Sequence, residues 1–117
     1  MKDGNVIKVK SMEFAIRIVE MSRYLSERKE EHVMSRQLLR SGTSIGANVY
    51  EGVYAQSRND FISKLSIALK EASETQYWIE LLWRTGYITE KEYESVQEDC
   101  VELLKVLTAI IKNTKEK

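Results

Sequence analysis

The sequence predicts an all-α protein, an antiparallel up-and-down four-helix bundle, and three observations carry that prediction. No proline interrupts the 117 residues, so segments can run long and unbroken as helices do. Apolar residues recur every three or four positions in four successive stretches. The last two stretches are joined by a short turn at Gly86, which forces them antiparallel. At this length one domain, spanning residues 1–117, is the expectation.

Helix one is expected over 11–29. Ser11 offers an N-cap, and Phe14, Ile18, Met21 and Leu25 follow at helical spacing, with Ala15, Val19 and Ser22 alongside. The charged stretch from Glu27 to His32 reads as the turn into helix two. His32 is the lone histidine and belongs to that solvated turn. Helix two is expected over 33–56. Between Arg40 and Arg58 its only charge is Glu51, and small residues crowd it: Ser41, Gly42, Thr43, Ser44, Gly46, Ala47 and Gly52. A helix without a charged face is expected to be buried nearly all round. Each glycine inside it costs about 0.5–1 kcal/mol relative to alanine, which close approach of a neighbouring backbone offsets. A break at Gly42 or Gly46 into two shorter helices is the competing reading. Overpacking that contact with Gly46→Leu is expected to disrupt folding or assembly.

The polar turn Ser57-Arg58-Asn59-Asp60 supplies Ser57 or Asn59 as N-cap for helix three, expected over 59–85 with Phe61, Leu65, Ala68, Ala72, Ile79 and Leu82 on one stripe. Gly86 stops it, and Thr89-Glu90-Lys91-Glu92 has the Thr-x-x-Glu form of a capping box that opens helix four, expected over 89–113. Tyr93, Val96, Cys100, Leu103, Leu107 and Ile110 form its apolar stripe, and Lys112, Lys115 and Lys117 suit the negative end of its dipole.

With 18 basic and 18 acidic residues the formal net charge is zero, so no global field attracts nucleic acid or an anionic membrane. The charge is nevertheless uneven. Residues 71–104 hold nine acids against Arg84 and Lys91, while residues 1–40 hold nine basic residues against six acidic ones. The N-terminal residues lack the apolar run of a secretory signal, and no stretch has the roughly 18 apolar residues of a membrane span. One cysteine, Cys100, allows no intrachain disulfide, and a reducing cytoplasm fits.

Catalytic sets are incomplete throughout. Glu71-Ala72-Ser73-Glu74 lacks the histidine that a di-metal carboxylate bundle requires, and no Gly-Lys-Ser/Thr follows the glycines to make a phosphate loop. Cys100 falls on an apolar stripe, where it reads as a small buried hydrophobe. The chain is therefore read as non-enzymatic, with no metal and no cofactor. Tyr77, Trp78, Trp83 and Tyr87 have only Arg84 among them, which suits a core or a subunit contact better than base stacking. Asn48 and Glu51 need partners in helix two, with Arg40, Lys64 and backbone as candidates, and are read as fixing helix register.

The segment from Leu39 to Gly52, followed by Phe61, Leu65, Ala68 and Ser73-Glu74, carries a resemblance. Its most specific part is Ser44, Ile45, Asn48, Glu51 and Gly52, a Ser-Ile-x-x-Asn-x-x-Glu-Gly pattern that also holds Gly46. It resembles the four-helix-bundle family of proteins encoded in intervening sequences of bacterial 23S ribosomal RNA genes, also labelled a ribosomal protein type, over about residues 14–111. That resemblance implies a homopentamer of up-and-down bundles without known enzymatic activity. A related branch, the accessory variability proteins of diversity-generating retroelements, forms similar but markedly basic pentamers that bind a reverse transcriptase and nucleic acid. The leading expectation is thus an oligomeric scaffold or interaction protein. The alternative is an RNA-associated protein acting with ribosomal RNA or a reverse transcriptase, with Arg17, Arg23, Arg36 and Arg40 as its candidate contacts, lining one rim of a ring with Lys8, Lys10, Arg28 and Lys29.

Overall fold

The computed structural model describes residues 2–117, which form four α-helices: α1 (Lys2–Arg28), α2 (Met34–Val53), α3 (Arg58–Arg84) and α4 (Glu90–Lys115). Among the described residues there is no strand. Contacts along each pair run in opposite directions. Ser22 meets Ser35 while Lys8 meets Tyr54. Arg40 meets Glu74 while Lys64 meets Glu51. Gln97 reaches the Gln76 carbonyl while Cys100 reaches that of Ala72, and Lys10 meets Glu102 while Arg17 meets Asp99. Every neighbouring pair is therefore antiparallel, and the helices form a closed square in which α1 touches α2 and α4 but not α3. The bundle measures 46 × 20 × 18 Å.

Each helix turns one apolar stripe inward. Ile18 and Leu25 of α1, Leu38 and Val49 of α2, Leu65 and Ile79 of α3, and Val96 and Leu107 of α4 are all completely buried, each worth about 1.5–3 kcal/mol. Local signals set three of the ends. Ser57 Oγ accepts from the Asp60 N–H, and Gly86 takes a left-handed φ of 84° just past α3. Thr89 and Glu92 complete the reciprocal capping box at the start of α4.

The start of α1 differs from expectation. Ser11 is not an N-cap: it lies inside a helix that begins at Lys2, buried, with its hydroxyl donating to the Lys8 carbonyl at 3.2 Å. The helix continues through this segment because Ile7 extends the buried stripe by one more turn. α2 is also shorter than expected, closing at Val53, and neither Gly42 nor Gly46 breaks it. Nor is it buried all round. Its covered residues form a single stripe from Ser35 to Gly52, and its opposite face leaves Ala47 and Tyr50 open to solvent.

Candidate assembly interface

The motif residues of α2 do not converge on one site. Ile45 enters the core, while Gly46 lies where a Cβ would sit 3.4 Å from the Ser11 carbonyl oxygen of α1. Gly52 faces α3, where a Cβ would come within 2.7 Å of Leu65 Cδ1. Ser44 Oγ donates to the Arg40 carbonyl at 2.6 Å, and Asn48 Nδ2 donates to the Ser44 carbonyl at 2.8 Å, so both satisfy themselves within their own helix. Glu51 pairs with Lys64 of α3 at 3.0 Å. The pattern thus packs α2 between its two neighbours within the chain.

The arginines separate into two groups. Arg17 donates to Asp99 Oδ2 at 2.6 Å and to Ser95 Oγ at 2.5 Å, which ties α1 to α4. Arg40 is claimed by α3: Nη1 donates to Glu71 at 3.1 Å and Nη2 to Glu74, whose carboxylate also accepts from Trp78 Nε1 at 2.9 Å. Arg23 and Arg36 pair with no carboxylate among the described residues. They flank one groove between α1 and α2, with Val19 and Leu39 on its walls and the exposed Glu27 carboxylate also lining it. There Arg36 Nε donates to the His32 carbonyl at 2.5 Å, and His32 Nδ1 lies 2.9 Å from Ser26 Oγ.

Beside that groove the outer surface of α1 and α2 is apolar. Val9 (58% exposed), Met12 (45%) and Ile16 (55%) recur at helical spacing on α1. The antiparallel register sets them beside Leu39, Thr43 and Ala47 of α2, none of them charged. At the far end Lys8 donates to Tyr54 Oη at 2.9 Å with its ammonium 4.4 Å from the Tyr50 ring centroid. The hydrogen bond to Tyr54 raises the Lys8 pKa further, so this end stays positive. Sequence reasoning missed the stripe on α1, although its signal was present: a second apolar series at 9, 12, 16 and 19, on the face opposite the core series 7, 14, 18 and 25.

Cys100 and the aromatic residues of α3 and α4 lie in the packing. Burial, aided by the nearby Asp99 carboxylate, pushes the Cys100 thiol up to about 12, and its Sγ lies 3.4 Å from the Ala72 carbonyl. Trp83 stacks on Tyr93 at 4.1 Å between ring centroids, pinning α3 to α4, and Tyr77 meets Trp78 edge-on at 5.0 Å. Among the described residues no three His, Cys, Asp or Glu side chains gather as a metal site would require. No helix among them is long and apolar enough to cross a membrane.

Comparison with known proteins agrees with this architecture. Among curated proteins none matches. A solved structure of a protein with unknown function from the S23 ribosomal protein family of Bacteroides thetaiotaomicron VPI-5482 is 61% identical, covering 96% of this chain and 99% of that one, with a TM-score of 0.92. The model of the 23S rRNA-intervening sequence protein family matches residues 4–109. The chain belongs to that family.

Proposed function

We propose that the protein is a non-enzymatic subunit of a homo-oligomeric cytoplasmic scaffold, a pentamer by the number its family resemblance implies. One observation carries the reading: the uncharged surface shared by α1 and α2, on which Val9, Met12 and Ile16 lie about half exposed. Scattered surface hydrophobics need no explanation, but a contiguous apolar face on a small soluble domain marks a contact surface. RNA association draws less support, because Arg17 and Arg40 are already neutralised by carboxylates of the same chain.

Sedimentation velocity tests the proposal. Wild-type protein at micromolar concentration is expected to sediment well above the 13.6 kDa of one chain. Ile16→Glu, which puts a charge on the face without touching the core, should return it to a monomer with unchanged helical circular dichroism. A wild-type monomer under these conditions would refute assembly.

A further inference from the structure

Building on the proposed assembly, we infer that Met12 is an oxidation site, and that conversion of its thioether to a sulfoxide by hydrogen peroxide in the free subunit disables the α1/α2 face. Met12 is 45% exposed, whereas Met21 and Met34 are part-buried against the core. The only thiol, Cys100, is completely buried, and with its pKa pushed up to about 12 it offers peroxide neither access nor a thiolate. Among the described side chains, the accessible sulfur is therefore the one that lies midway along the apolar stripe. Val9 lies about one helical turn before it and Ile16 one turn after.

The chemistry needs only the peroxide. The sulfur gives an electron pair to one peroxide oxygen, an S–O bond forms and the O–O bond breaks. The proton of the transferred oxygen goes to the departing hydroxide, which leaves as water. Sulfur is oxidised and peroxide reduced. An apolar, adaptable side chain becomes one with a strong acceptor oxygen. Covering that oxygen strips its water, at a cost unless a donor replaces it.

The face itself supplies no free donor nearby. Val9, Ile16, Leu39 and Ala47 have none in their side chains. Thr43 Oγ1 commits its proton to the Leu39 carbonyl at 2.6 Å. Lys8, one turn before Met12, is directed to Tyr54 Oη and lies over the Tyr50 ring. Oxidised Met12 is thus satisfied on a solvated face and penalised beneath a partner subunit. The coupling is reciprocal: a covered Met12 is shielded from peroxide, and an oxidised one resists being covered.

Peroxide treatment with peptide mass mapping and sedimentation velocity tests this. In dilute wild-type protein the added oxygen should appear on Met12 ahead of Met21 and Met34, and more slowly once the protein is concentrated enough to assemble. The oxidised protein and Met12→Gln should both show a dissociation constant raised by on the order of tenfold or more, with unchanged helical circular dichroism. Methionine sulfoxide reductase should restore assembly of the oxidised protein. Met12→Leu should assemble like wild type before and after peroxide. Oxidation of Met21 or Met34 ahead of Met12 would overturn the inference while leaving assembly standing. So would normal assembly of the Met12-oxidised protein, or dissociation of Met12→Leu by peroxide. A monomeric wild type would remove the assembly and this inference together.

Discussion

At the N-terminus of α2, Val33 has no side chain that can accept from the first turn, and Glu31 fills the role from two residues upstream. Its Oε1 accepts from the Ser35 N–H at 2.8 Å and its Oε2 from that of Val33 at 3.2 Å, while Ser35 Oγ donates back to the Glu31 carbonyl at 2.7 Å. Burial opposes the charged carboxylate, but the amides of Ser35, Met34 and Val33, with His32 nearby, outweigh it and hold its pKa below the ordinary 4.5. A depressed carboxyl pKa stabilises the fold fully above the unfolded value and loses that contribution as pH falls through the folded one. Glu31→Gln should therefore cost about 1 kcal/mol at neutral pH, the usual worth of a cap. In urea titrations the difference from wild type should shrink as the pH drops below 4.5. An equal difference at both pH values would mean that the charge is irrelevant there. Nothing in the charged stretch Glu27 to Glu31 distinguished this residue by sequence, because its role depends on the left-handed turn at Glu30 (φ 54°), which no local pattern announced.

Among elements, α2 shows which of its glycines the packing needs. A Cβ at Gly42 would lie 2.7 Å from Ile18 Cγ2 and 3.2 Å from Ile18 Cβ. The latter is fixed to the backbone of α1, so Gly42→Ala must push the helices apart, at a cost of about 1–3 kcal/mol. At Gly46 the nearest atom would be 3.4 Å away, an ordinary contact. Gly46→Ala should therefore equal wild type or gain up to about 1 kcal/mol from helix propensity. Chemical denaturation of the pair checks this, and equal destabilisation would contradict it. That small residues mark a close approach was legible in the sequence; which glycine is tight was not, since it depends on Ile18 lying opposite, 24 positions away. The helix ends follow the same logic. Ser57, Gly86 and Thr89 act within three residues and could be read directly, whereas Ser11 imitated a cap whose helix had already begun.

For the whole molecule, zero net charge concealed an internal division of labour. The cationic N-terminal half and acidic C-terminal half largely neutralise one another across α1–α4 and α2–α3, through Lys10–Glu102, Arg17–Asp99 and Arg40 with Glu71 and Glu74. Such exposed pairs add only about 0–1 kcal/mol each, so their larger effect is on which cations are left unpaired. Sequence displayed the charge asymmetry but could not pair residues lying between 31 and 92 positions apart. If the α1/α2 face is covered in solution, unfolding is coupled to dissociation, and the melting temperature must rise with protein concentration. Calorimetry across a hundredfold dilution should register that rise, and Ile16→Glu should abolish it.

One buried contact limits how the helices can slide. Thr75 Oγ1 lies 2.9 Å from Ser41 Oγ and 2.8 Å from the Glu71 carbonyl, yet a hydroxyl carries a single proton. Either Ser41 donates to Thr75 and Thr75 to the Glu71 carbonyl, or Thr75 donates to Ser41 and Ser41 to the Leu38 carbonyl at 3.5 Å, and both chains leave no donor idle. Sliding α3 by a turn in either direction would bring Ala72 or Ile79 opposite Ser41, both fully buried and neither with a side-chain acceptor. The slipped stripe would still be apolar, although residues of different size would meet the core. The two hydroxyls therefore act as a detent, adding a polar penalty to the cost of misaligned packing.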